Sequence, residues 1–176
     1  LILIGGGILL SSSHILWGAD YALISEIGAS ARMIGIGNIE GFSEHSDSLF
    51  ENPAGLLHIE NYSATFFSTT FMNEVVFNVL SGAMTTEYGT FGVGYMSQEI
   101  AQIPVTYETE SNEYDVQSYF DYKNSITKLG YQTWVQPALS LGVNFCLYNH
   151  DIGEVKGSGM NLESGLIYEQ DPFTYS

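Results

Sequence analysis

The sequence predicts an all-β fold, a fragment of an antiparallel transmembrane β-barrel with about six strands. The clearest evidence is the segment 137–148, in which apolar residues alternate with small or mildly polar ones. Its apolar positions are Leu139, Leu141, Val143, Phe145 and Leu147. Successive side chains of a strand point to opposite faces, so one face of this strand is apolar throughout.

A soluble sandwich could show the same alternation with its apolar face turned inward. The membrane interpretation is favoured because neighbouring segments repeat the pattern and because their other face carries polar groups, including Lys128. Tyrosines also stand near the predicted strand ends, where amphipathic rings favour a lipid headgroup interface. These are Tyr88, Tyr95, Tyr131, Tyr148 and Tyr168. The apolar positions of segment 137–148 are therefore expected to face lipid.

The first nineteen residues carry no Lys, Arg, Asp or Glu, and their apolar run of about ten residues is typical of a secretory signal peptide. A transmembrane helix or a buried strand is the alternative, which the triple glycine 5–7 disfavours. The basic start of such a signal is missing. Since the chain opens on Leu1 and stops after a turn signal, we expect a fragment truncated at both ends.

Residues 20–60 are rich in Gly, Ser and Ala and show no sustained alternation, whereas residues 61–176 read as successive strands. The predicted strands are 61–72, 75–84, 90–95, 127–135, 137–148 and 160–168. Tight turns are predicted at 87–89 and 136–137, and longer loops at 97–118 and 149–156. Outer-membrane barrels alternate short periplasmic turns with long external loops in this way.

The charge balance is strongly acidic, with 20 acids against four bases and a formal net charge of −16. This balance excludes a nucleic-acid partner, because phosphates need Lys and Arg for neutralisation. The single cysteine, Cys146, cannot form an intrachain disulfide and is expected to be a small packing residue.

The sequence contains no pattern that favours an enzyme, a metal site or a cofactor. Residues 43–47 read Ser-Glu-His-Ser-Asp, but sequence neighbours in an extended segment do not converge on one atom as a catalytic triad must. The acidic segment 107–115 offers oxygen ligands for Ca²⁺, yet it lacks the spacing of a calcium loop. A solvated external loop is the preferred interpretation.

Residues 27–56 read IGASARMIGIGNIEGFSEHSDSLFENPAGL. This stretch resembles the amino-terminal signature of the FadL-like outer-membrane barrels, most closely the PorV/PorQ branch. The resemblance rests on Gly28-Ala29, Ala31-Arg32, Gly35, Gly37, Asp47-Ser48-Leu49 and the motif Asn52, Pro53, Ala54, Gly55 and Leu56. The Arg is shifted, and Phe50-Glu51 replaces an aromatic pair. A second block, residues 126–147 followed by residues 157–168, is also similar to the family.

The resemblance implies that residues 20–60 form a plug inside the barrel, with the 52–56 motif at its exit; a surface turn is the alternative. It implies a location in the outer membrane of a Gram-negative bacterium, in contact with its lipid. The implied function is a plugged channel for hydrophobic small molecules, which would contact Phe42 and Phe50. The alternatives are a non-transporting partner of secreted proteins, in a PorV-like type IX secretion or surface-attachment system, and a structural surface protein.

Overall fold

The computed structural model describes residues 24, 27–39, 43–108, 113–170 and 173–175, with only the backbone at 170 and 173. The predicted all-β fold is confirmed, because these residues form a seven-stranded antiparallel sheet whose strands follow one another in sequence order. The sheet is open along β1 and β7 and is not closed into a barrel. The predicted signal peptide (residues 1–19) and Phe42 lie outside the described residues.

The strands run considerably further than the alternation predicts. They are β1 Tyr62–Phe71, β2 Val75–Thr86, β3 Gly89–Glu108, β4 Tyr114–Gln136, β5 Leu139–Ile152, β6 Val155–Gln170 and β7 Phe173–Tyr175. The loops predicted at 97–118 and 149–156 are therefore wrong. Residues 97–108, 114–118, 149–152 and 155–156 belong to strands, because backbone hydrogen bonds define a strand even where the side chains on both faces are polar. Gly153 and Glu154 alone turn the chain between β5 and β6.

One face of the sheet is covered by the N-terminal segment, which we define as Ile24, 27–39 and 43–59. It contains α1 (Ala31–Gly35), α2 (Ser48–Glu51) and a 3-10 helix (Pro53–His58). Asn52 is extended, and its Oδ1 accepts a hydrogen bond from the Ala54 N–H at 2.9 Å. With proline at its first position, where a missing N–H costs nothing, the short helix begins at a well-capped site.

The two faces of the sheet differ in composition. On the covered face, side chains of the N-terminal segment and of β2 to β4 form one apolar core. Its strand members are Phe77, Val79, Ala83, Met96 and Ile126, and its N-terminal members include Met33, Leu49, Phe50 and Leu56. The opposite face, which we call the exposed face, is covered by no described residue.

The two ends of the sheet also differ. The near end, where residues 59–61 lead into β1, carries the turns at 87–88 and 137–138. The far end carries the turns at 72–74 and 153–154 and a projecting hairpin, which we call the ribbon: Ala101–Glu108 of β3 with Tyr114–Asp121 of β4. The ribbon extends beyond the last paired residues of β2 and β5.

Candidate functional site

The 52–56 motif rests on a row of strand glycines. A Cβ on Gly142 would collide with backbone atoms of Pro53 and Ala54, and one on Gly165 would collide with the Asn52 side chain. Gly142 and Gly165 are directly paired between β5 and β6. Because neither carries a side chain, the motif approaches the strand backbones closely.

The preceding helix α2 contacts further glycines, in two neighbouring rows on β3 and β4. A Cβ on Gly94 would lie 2.6 Å from the Phe50 ring, and one on Gly92 would lie 3.1 Å from Leu49. Gly130, which pairs with Gly92, would also collide with Leu49. The covered face therefore has a glycine track shaped to the segment 49–54.

Side-chain amides and hydroxyls hold this segment to the strands. Asn144 Nδ2 donates to the Leu49 carbonyl at 2.7 Å, and Ser140 Oγ donates to the Ala54 carbonyl at 3.1 Å. Asn52 Nδ2 donates to the Leu166 carbonyl at 3.3 Å. The first two bonds satisfy carbonyls of the short helices, which would cost free energy if they were buried without a partner, and the third ties the motif to the backbone of β6.

A buried ion pair lies beside the track. Lys128 Nζ is 2.7 Å from Glu163 Oε2, with the lysine side chain only 3% exposed and the glutamate 30%. The Lys128 ammonium also lies 5.7 Å from the centre of the Phe50 ring, within the range of a cation–π contact. Asn144 and Tyr148 donate to the same carboxylate at 3.4 Å each. The pair thus joins β4 and β6 beneath the N-terminal segment.

The side chains of residues 43–47 bind the N-terminal segment to the sheet and are not arranged as a catalytic triad. Ser43 Oγ donates to Asp47 Oδ1 at 2.5 Å, while Ser46 Oγ lies 2.9 Å from Ser81 Oγ and 3.1 Å from Thr65 Oγ1. His45 is exposed at the surface. The stretch therefore fastens the N-terminal segment to β1 and β2.

On the exposed face, the apolar residues form continuous rows across the strands. Val93, Leu129, Phe145 and Leu162 are mutually paired in one row, and Tyr95, Thr127, Leu147 and Met160 in the next. Leu139, Leu141 and Val143 continue the same face toward the near end, while Ser140, Gly142 and Asn144 lie buried on the covered face. The apolar stretch of β5 is about as long as the 9–11 residues with which a tilted strand crosses a bilayer.

This apolar face ends sharply toward the far end. The next paired row is Ser97, Ser125, Asn149 and Ser158, and the one after it is Glu99, Lys123, Asp151 and Lys156. In this last row, which we call the ionic row, charges alternate in sign across four strands. Lys123 lies 3.7 Å from Glu99, and Lys156 lies 2.9 Å from Asp151.

Two cavities open at the edges of the described structure. The first, about 640 Å³, lies at the near end between His45, His58, Glu60 and Tyr62. The second, about 870 Å³, lies at the foot of the ribbon. Phe50, a predicted ligand contact, lines neither; it is buried against Gly94 and Lys128.

The segment 107–115 does not form the predicted loop where it is described. Tyr107 and Glu108 end β3, Tyr114 and Asp115 begin β4, and the Tyr107 hydroxyl donates to Asp115 at 3.4 Å. No group of side chains suited to hold a metal occurs among the described residues.

Comparisons with protein-family models, curated proteins and solved structures gave no match to this chain. Among the described residues, no helix has the length and apolar character needed to cross a membrane.

Sequence reasoning missed the ion pair and the glycine track. The alternation predicts which face Lys128 occupies, but its partner Glu163 lies two strands away and depends on strand register. The glycine track could have been predicted from the sequence, because glycines recur at strand positions of the covered face. These are Gly92, Gly94, Gly130, Gly142 and Gly165.

Proposed function

We propose that this chain forms part of an outer-membrane β-barrel whose N-terminal segment is a plug in the lumen. The observation that carries the proposal is the pair of faces: an apolar exposed face that ends at the ionic row, and a covered face on which the N-terminal segment packs against glycines, polar side chains and an apolar core. A lipid-facing apolar band of about 25 Å is the signature of such barrels, and the interior of some of them is filled by a plug. Further strands would pair with β1 and β7, since free edges are not tolerated in hydrocarbon.

The apolar composition of the proposed lumen wall favours hydrophobic small molecules as the cargo. The wall formed by β2 to β4 is apolar, with Phe77, Val79, Met96 and Ile126 buried against the plug. Porin channels for water-soluble solutes have a polar interior instead. A mostly apolar site with a few polar groups is the usual form for binding a small apolar ligand. Movement of the plug along this wall would open a path whose surface matches apolar cargo.

The membrane proposal is tested by a matched pair of arginines on β5. Val143 lies in the middle of the apolar stretch, and Asn149 is exposed on the same face beyond it. Val143→Arg should cost about 2–4 kcal/mol of folding free energy in lipid, while Asn149→Arg should cost about 0–1 kcal/mol. Equal costs in bilayers would contradict a lipid-facing band.

Transport is tested by uptake of a labelled long-chain fatty acid or an aromatic hydrocarbon. Cells lacking the gene should take up less than cells that carry it. Deletion of residues 28–52 should make the outer membrane permeable to a large hydrophilic dye, because the plug is removed. Unchanged uptake in the knockout, with no dye entry in the deletion strain, would contradict the channel.

The second candidate is a non-transporting partner in a PorV-like secretion or surface-attachment system. The ribbon favours it, since Tyr107, Tyr114 and Tyr119 are exposed there beyond the sheet. Exposed aromatic side chains that project from a scaffold are typical of protein-binding surfaces.

A further inference from the structure

The two ribbon strands lack the neighbouring strands that flank β3 and β4 in the rest of the sheet. The β2–β3 ladder ends at Val75 and Ile100, and the β4–β5 ladder ends at Tyr122 and Ile152. Within the described part of the chain, each ribbon strand therefore pairs only with the other. An isolated two-stranded ribbon is marginally stable in water, so added pairing would stabilise it.

The two edges of the ribbon are not equivalent. On β3, Gln102 has a positive φ of 59° and forms a bulge, and its N–H donates to Asp121 Oδ1 at 2.9 Å. Pro104, two residues on, has no N–H to donate. Bulges and prolines are devices that block pairing at an edge. The β4 edge from Tyr114 to Phe120 has one irregularity of its own, at Gln117 opposite the step from Val105 to Thr106, but it contains neither proline, glycine nor lysine. Each of its residues keeps an N–H, so its backbone groups can pair with a strand.

A cleft of about 870 Å³ lies at the foot of this free edge. One wall is β4 from Ser118 to Lys123, and the other is the turn between β5 and β6. The Gly153 N–H donates to the Asp121 carbonyl at 3.1 Å and closes the bottom of the cleft. Tyr119 and Phe120 supply apolar surface there. The charged lining residues are Glu99, Asp121, Lys123, Asp151 and Glu154, and of these Glu99 and Asp151 are already paired with lysines of the ionic row, which leaves Asp121 and Glu154 as the acids outside that row.

The ribbon itself carries charges of one sign only. Between Ile100 and Tyr122 the sequence has no Lys or Arg and carries the acids Glu108, Glu110, Glu113, Asp115 and Asp121. Complementary charge in a partner would be positive, and Lys or Arg can also stack on exposed tyrosine rings.

We propose that the β4 edge, Tyr114 to Phe120, binds an extended cationic segment of a partner polypeptide by strand addition. Main-chain hydrogen bonds to β4 would hold the segment, and its Lys or Arg side chains would meet the ribbon's acids and enter the cleft. This proposal rests on the second candidate function and names the chemistry of its partner. Peptide binding to the β4 edge is measured separately from the effect of the two arginine variants on the membrane band, so either result can fail without the other.

The test uses the purified protein in neutral maltoside micelles and a fluorescent nine-residue peptide of alternating Lys and Val with blocked ends. Binding is followed by anisotropy at low and high salt. A second peptide has the same side chains and a fully N-methylated backbone. Strand addition predicts that N-methylation weakens binding by about tenfold or more, because the peptide's backbone donors are lost.

Two matched variants test the charge. Asp115→Asn/Glu154→Gln should weaken binding of the Lys-Val peptide about threefold or more at low salt, while Glu60→Gln/Glu87→Gln, which removes two acids at the near end, should not change it. Amide hydrogen exchange at Tyr114–Phe120 should slow when the peptide is added.

Three outcomes would overturn the proposal. Equal binding of both peptides would mean attraction by charge alone, and no binding of either would mean no site. Exchange at Tyr114–Phe120 that is already as slow in the free protein as in β5 would show that another segment of the chain occupies this edge.

Discussion

Asn52 and Pro53 lie where a methyl group on Gly142 or Gly165 would stand, so the contact between the N-terminal segment and the sheet depends on the absence of a side chain at these glycines. Close backbone approach is one of the few reasons for glycine inside a strand, where it otherwise weakens the ladder. The motif and the glycines thus form one contact, although more than eighty residues of sequence separate them.

Gly165→Ala tests this contact directly. The added methyl group would collide with the Asn52 side chain, so the variant should lose about 1–3 kcal/mol of unfolding free energy through overpacking. Gly159→Ala is the control, because it lies on the same strand and a Cβ there meets nothing within 4 Å. Urea titration of both variants in detergent should give a clear loss for the first and none for the second; similar losses would contradict the docking.

The Lys128–Glu163 pair predicts a second, separable effect. Glu163→Gln removes the charge opposite a nearly fully buried ammonium, so unfolding free energy should fall by about 2–3 kcal/mol. The double variant Lys128→Met/Glu163→Gln should recover most of that loss, because no uncompensated charge remains. Additive losses in this double-mutant cycle, measured by denaturant titration, would show that the two residues act independently.

Among the elements, strand faces were predictable and strand ends were not. The alternation from Leu139 to Leu147 correctly separates exposed from buried side chains, because side-chain direction along a strand is a local property. The polar run 97–118 has no alternation of apolar and polar residues from which strands could be predicted, because the ribbon is exposed on both faces. The bulge at Gln102 could not be predicted from the sequence either, because it is stabilised by Asp121 on the neighbouring strand.

The orientation of these elements is testable in intact cells. In the proposed barrel the plug begins in the periplasm, so the near end is periplasmic and the ribbon is outside. A cysteine at Glu113 should react with an impermeant maleimide in intact cells, and one at Gln136 should react only after the outer membrane is opened. Cys146 is fully buried and contributes little background. Labelling of Gln136→Cys alone would reverse the topology.

For the molecule as a whole, the exposed face and the ionic row define a boundary that no single strand shows. The sequence predicted the apolar residues, but the ionic row follows only from register, which brings Glu99, Lys123, Asp151 and Lys156 side by side. Exposed ion pairs of this kind contribute little to stability, about 0–1 kcal/mol each. Their position at the end of an apolar face fits the edge of the membrane-contacting band proposed above.

The most direct test of that band is a nitroxide scan along β5 in lipid vesicles, with Cys146 replaced by Ala. Labels at Leu141, Val143, Phe145 and Leu147 should collide readily with oxygen, which partitions into hydrocarbon, and weakly with a water-soluble nickel chelate. The preference should reverse at Asn149 and Asp151. High nickel accessibility at Val143 and Phe145, equal to that at Asp151, would contradict the account that this face lies against lipid.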